Sequence, residues 1–158
     1  MTGRVFRLTI AASAGLGVAL TSARSDEPKP TEPPAFRPQI SDFMSDTQRR
    51  HFKLGLSGGL SNWPLAAYEL GKLKESLDLA GKFSPNADPK LPDLSKASAD
   101  PAFTDLESAI ADENQPAFVV SFNRLTRACN ACHVKSGVAE IKIQTPLTSP
   151  YSNQKFAP

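Results

Sequence analysis

Residues 114–137 read Asn-Gln-Pro-Ala-Phe-Val-Val-Ser-Phe-Asn-Arg-Leu-Thr-Arg-Ala-Cys-Asn-Ala-Cys-His-Val-Lys-Ser-Gly. The stretch carries its own helix boundaries. Asn114 is a residue type that caps helices, and Pro116 falls in the first turn, where a missing N–H costs nothing. Between them and Gly137, Phe118, Phe122, Leu125, Cys129 and Cys132 recur at intervals of 4, 3, 4 and 3. That is the period of one buried helix face. Both cysteines therefore belong to the apolar stripe, and His133 follows on the same side, one turn after Cys129.

The end of this helix, Cys129-Asn130-Ala131-Cys132-His133, has the form C-x-x-C-H. This is the attachment pattern of a c-type haem. Two thiols at this spacing add to the two vinyl groups of one porphyrin, and the adjacent imidazole is held beneath the ring to bind iron. The chain has 2 cysteines, so no further thiol suggests another framework. A disulfide is the rival for such a pair in an oxidising compartment. The histidine that follows favours haem.

Reading outward, three more helices are expected. The first covers about Ile40 to Ser57, with Ile40, Met44, Thr47, His51 and Leu54 on one stripe. Gly55 should weaken its last turn, and Gly58-Gly59 should end it. The second runs from about Asn62 to Phe83, capped by Asn62 with Pro64 in the first turn. Its stripe is Ala66, Leu70, Leu73, Leu77 and Ala80, and Trp63 reads as a packing anchor at its start. Residues 84–100, with Pro85, Pro89 and Pro92, read as a loop. A short third helix follows, with Asp100 as its cap, Pro101 at its first position, and Phe103, Leu106 and Ile110 on its apolar face.

Four amphipathic helices without a convincing strand make an all-α fold the economical one. The expected architecture is an antiparallel up-down-up-down four-helix bundle over residues 40–137. Residues 138–158 contain Pro146 and Pro150 and lack helical period, so an extended C-terminal tail along the bundle is expected.

The N-terminus reads as an export signal. Arg4 and Arg7 precede a mostly apolar stretch from Leu8 to Leu20, and Thr21-Ser22-Ala23 fits the small-x-small cleavage rule. The apolar stretch is shorter than the roughly 20 residues of a spanning helix. Residues 1–23 are thus read as a signal peptide cleaved after Ala23, placing the mature chain in the periplasm. Residues 24–39, with Pro28, Pro30, Pro33, Pro34 and Pro38, form a Pro-rich linker. Loss of Arg4 and Arg7 reduces 18 basic residues to 16, matching 16 acidic ones. Such a balance offers no electrostatic footprint for nucleic acid. The acidic positions Glu69, Glu75, Asp112 and Glu113 read as solvated helix faces, and Arg124 and Arg127 as exposed or paired with haem propionates.

A helical bundle with C-x-x-C-H on its last helix resembles the cytochrome c-prime family and its low-spin relatives. In ordinary globular cytochromes c the motif comes near the N-terminus. Here it follows nearly all of the folded chain. The stretch Asn62-Trp63-Pro64-Leu65-Ala66-Ala67-Tyr68-Glu69-Leu70, after His51-Phe52-Lys53-Leu54, is similar to an uncharacterised exported subgroup with a C-terminal haem motif. The tail from Thr145 to Phe156 is similar to theirs as well.

The resemblance implies one covalent haem c, held by Cys129 and Cys132 with His133 as proximal axial ligand. The sixth position then decides between electron transfer and capture of small gases. Met44 and His51, on the stripe of the first helix, are the candidates. His133 is 18 residues beyond Gln115, about 27 Å along the helix at ~1.5 Å per residue. Counted from Gly58, Met44 lies roughly 21 Å down and His51 only about 10 Å. Met44 is the expected distal ligand and His51 the alternative.

The expected function is one-electron transfer by an exported, non-enzymatic monohaem cytochrome with redox proteins as partners. The alternative is a five-coordinate haem module binding nitric oxide or carbon monoxide. The family also implies a homodimer as a form to be tested. No hydrolytic triad, second metal motif or phosphate loop is present.

Overall fold

The computed structural model describes residues 38–84, 93 and 97–158. The signal peptide, nearly all of the Pro-rich linker and most of the expected loop 84–100 lie outside the described residues. The described chain is all-helical, with four main helices, α1 (Ile40–Gly59), α2 (Trp63–Phe83), α3 (Asp100–Ala111) and α4 (Gln115–Lys135), and no strand among the described residues. This is consistent with a four-helix bundle. None of these helices is long and apolar enough to cross a membrane.

The connections explain how the helices succeed one another. At the end of α1, the Ser61 amide donates to the Gly58 carbonyl (3.1 Å) and the Asn62 amide to the Ser57 carbonyl (2.8 Å). At the end of α3, the Glu113 amide donates to Ile110 (3.2 Å) and the Asn114 amide to Ala109 (2.9 Å). Both are the paired bonds of a Schellman stop, which needs one left-handed residue. Ser61 (φ 59°) and Glu113 (φ 52°) supply it, although neither is glycine. The next residue, asparagine in both turns, caps the following helix. Asn62 Oδ1 accepts from Leu65 N and Asn114 Oδ1 from Ala117 N. One short turn thus stops a helix and starts its successor.

Helix α1 ends at Gly59, at the expected Gly58-Gly59 stop, but the left-handed residue of that stop is Ser61 rather than a glycine. Gly55 and Gly58 lie within the helix and mark its closest approach to α4. A Cβ on Gly58 would run into the Phe118 ring, and one on Gly55 would stand 2.6 Å from Phe122 Cζ. The two glycines leave room for two stacked rings, Phe118 and Phe122, with centroids 5.8 Å apart. At α3 the expected cap shifts by one residue: Ala99 occupies the cap position and Asp100 is the first helical residue.

The core gathers the predicted stripes: Leu54 from α1, Ala66, Leu70 and Leu73 from α2, Phe103, Leu106 and Ile110 from α3, and Phe118, Phe122 and Leu125 from α4. Each large side chain so buried contributes about 1.5–3 kcal/mol of transfer free energy. Trp63 packs edge-on against Phe118, as an anchor at the start of α2. Glu69 corrects the expectation of a solvated face. It is 2 % exposed, with its Oε2 accepting from Arg50 Nη1 at 3.1 Å. A carboxylate withdrawn from water in this way is tolerated because it is paired. Glu75, Asp112 and Glu113 are exposed as expected.

Pairs across the helices step in register. Thr47 meets Ser76 and Arg50 meets Glu69 between α1 and α2, while Lys74 meets Glu107 between α2 and α3. Arg124 pairs with Asp105 between α4 and α3. After α4, residues 138–158 have neither helix nor strand, but they are bonded to the helices. Thr145 Oγ1 donates to Asn123 Oδ1, Tyr151 packs edge-on against Phe52, and Asn62 Nδ2 donates to the Phe156 carbonyl. Phe156 is buried.

Candidate functional site

The last turn of α4 carries the motif. Cys129 and Cys132 are both free thiols and half-buried, and Cys129 packs against the core cluster. Burial, and then the neighbouring Cys132, push the Cys129 thiol up to about 11. It is held as the protonated thiol. Cys132 Sγ lies 4.0 Å from Ser136 Oγ.

His133 is oriented from outside the helix. Gly137, at φ 74°, provides the left-handed stop, with the Gly137 amide bonded to Val134 and the Val138 amide to His133. The chain then folds back, tightened by the Ile141 amide on the Val138 carbonyl. This brings the Ile141 carbonyl oxygen to 2.6 Å from His133 Nδ1. A carbonyl only accepts, so Nδ1 carries the proton and Nε2 presents its lone pair. Nε2 has no hydrogen-bond partner among the described residues. This is the arrangement in which a histidine binds a metal, one ring nitrogen fixed by a carbonyl and the other free.

Asn130, between the two cysteines, holds the returning chain at a second point. Its Nδ2 donates to the Ile143 carbonyl (2.9 Å) and its Oδ1 accepts from the Ile143 amide (2.7 Å). Nothing in the sequence reading assigned this residue a role. An amide side chain at a variable motif position is a weak signal before its partner is known.

The two distal candidates have different surroundings. His51 is 3 % exposed, set between α1 and α4. Its ring lies 4.5 Å from the Phe122 ring, and its Nε2 is 2.9 Å from Thr126 Oγ1. The Thr126 hydroxyl donates its one proton to the Phe122 carbonyl (3.0 Å), so His51 Nε2 is the donor to Thr126. Burial pushes the His51 pKa down to about 4, keeping the ring neutral. His51 also borders a cavity of about 430 Å³ between α1 and the tail, with Gln48, Phe52, Lys142 and Leu147. None of Met44, Cys129, Cys132 and His133 lines that cavity.

Met44 is half-buried near the start of α1. Contacts between α1 and α4 pair Gly58 with Phe118, Gly55 with Phe122 and His51 with Thr126. Counted two turns further at the same step, the level of His133 on α4 falls at Met44 on α1, a count of residues without an observed contact between the two. His51 is level with Thr126, about 10 Å from that position at ~1.5 Å per residue.

The residues present suit the group the motif implies. Both thiols are free, and the imidazole has one nitrogen fixed and one open. Ile40 is 40 % exposed, Phe83 55 % and Val134 63 %, and Phe83 stacks on Phe43 at 5.4 Å. Arg124 is engaged by Asp105, while Arg127 is exposed. No family model, curated protein or solved structure matches the chain.

Proposed function

We propose that the chain is an exported, periplasmic, monohaem c-type cytochrome of the bundle type, related to cytochrome c-prime, that passes single electrons between redox proteins. The observation that carries this reading is the state of His133. Its Nδ1 is bonded to the Ile141 carbonyl and its Nε2 is open, one residue after a free thiol and one turn after another. The stepped pairs between helices support an antiparallel up-down-up-down order, and the bonds from Asn130, Asn123 and Asn62 support a tail lying along the bundle.

In this reading Cys129 and Cys132 anchor the cofactor covalently, which prevents its loss outside the cell. His133 gives its Nε2 lone pair to the metal, and the Ile141 carbonyl raises the basicity of that nitrogen. Met44 would offer its thioether as the second protein ligand. His51 keeps the neighbouring interface closed through Thr126 rather than acting as a ligand. The haem, when bound, supplies the one-electron couple of its iron.

The test is the optical spectrum of the reduced protein with and without carbon monoxide. Sharp low-spin bands unaffected by the gas support electron transfer through a six-coordinate iron. A high-spin spectrum that shifts on gas addition supports the gas-binding alternative.

A further inference from the structure

The tail meets the motif at two points that act as one device. His133 Nδ1 is bonded to the carbonyl of Ile141, and Asn130 is bonded to both backbone groups of Ile143. Ile141 and Ile143 are two residues apart on a segment with neither helix nor strand. A carbonyl on such a segment has no ladder to hold its direction. The doubly bonded Asn130 amide supplies that hold, closing a ring in which the N–H and the C=O of one residue, Ile143, are both fixed. Further along, Thr145 on Asn123 extends the docking, and Gly137 at φ 74° sets the angle at which the chain leaves α4.

We infer that Asn130 is a positioning residue, clamping Ile143 so that the Ile141 carbonyl stays on His133 Nδ1 and fixes the His133 tautomer. The inference rests on the haem reading for its effect on the iron, but its geometry concerns this chain alone. With the tail docked through Asn130, His133 would hold iron through an oriented Nε2, a setting that would favour the ferric form. Release of the tail turns the same histidine into a weaker and less oriented ligand. The motif and the tail thus form one structural unit, although residues 134–137 separate them in sequence.

The experiment uses the full chain carrying Asn130→Ala and, separately, Ile143→Pro. Alanine is well tolerated inside a helix. Proline removes the single amide proton that Asn130 Oδ1 accepts, without altering α4. Two readouts are taken for each variant. In the apoprotein, nitrogen-15 NMR of His133 reports which ring nitrogen carries the proton. In the matured holoprotein, the reduction potential reports ligand strength. The inference expects wild type to hold the Nδ1–H form, both variants to show a mixture of tautomers, and both potentials to shift upward. Asn130→Asp, which keeps the acceptor and loses the donor, should fall between wild type and alanine.

Folded variants with an unchanged tautomer and an unchanged potential overturn the inference. A chain that takes up no covalent haem overturns the haem reading instead, and the apoprotein tautomer still decides whether Asn130 positions His133.

Discussion

His133 Nδ1 and the carbonyl oxygen of Ile141 lie 2.6 Å apart, joining the end of α4 to a segment that has already turned back on it. The bond decides which nitrogen of His133 faces outward. Without it, the same five-residue motif would present an imidazole free to rotate and to exchange tautomers. Its dependence on the stop at Gly137 shows how a backbone conformation controls the chemistry of a side chain four residues earlier.

Met44 is expected to set the spin state. Met44→Ala should convert a low-spin reduced spectrum into a high-spin one that responds to carbon monoxide. His51→Gln should leave the wild-type bands in place, because His51 stands level with Thr126 rather than His133. Optical spectra of the two reduced variants check both outcomes.

Gly58→Ala should destabilise the fold. The added methyl meets the Phe118 ring, and Phe118 is itself packed against Trp63 and Phe122. Overpacking of this kind costs about 1–3 kcal/mol. Gly59→Ala is the control, since nothing lies within 4 Å of a Cβ there. Urea denaturation of the two variants should separate them clearly.

Glu113→Gly should stabilise. Glu113 holds φ at 52°, where a non-glycine residue costs about 1–2 kcal/mol. Its side chain is exposed, so little else is lost. An increase of about 1 kcal/mol in unfolding free energy is expected. Thermal or urea unfolding measures it.

The core histidine should make stability fall on mild acidification. Burial holds the folded pKa of His51 near 4, below its usual 6.5. Between these values the unfolded chain binds a proton that the native state refuses. The contribution is therefore complete above pH 6.5 and is lost as pH falls toward 4, about 3 kcal/mol at ~1.4 kcal/mol per unit. No acidic side chain is bonded to His51 in the interface. Thr126 and Phe122 face it from α4, and Lys142 borders the adjoining cavity. The loss of stability between pH 7 and pH 4.5 should be smaller in His51→Gln, with both proteins unfolded in urea at each pH.

Much of this could be read from residue order because helix signals are local. Asn62 with Pro64, and Asn114 with Pro116, define helix starts within four residues, and the stripes that follow are the observed core. What escaped reading depended on partners distant in sequence. Gly55 and Gly58 look like helix breakers until Phe122 and Phe118 are set against them. Glu69 looked like part of a solvated face, although it is four residues before the buried Leu73 and three after the buried Ala66. That spacing already placed it on the core side. The double bond of Asn130 to Ile143 has no local signature, because it joins a helix to a segment without period.

The central claim is covalent haem at Cys129 and Cys132 with His133 as ligand, and covalent attachment is the most direct measurement of it. The full chain should be exported from cells that mature c-type cytochromes, denatured, and separated from free porphyrin before its alkaline pyridine spectrum is recorded. One haem should be retained by each polypeptide, and none when Cys129→Ser and Cys132→Ser are combined. A denatured wild-type chain without haem, or a double variant that keeps it, would contradict the account.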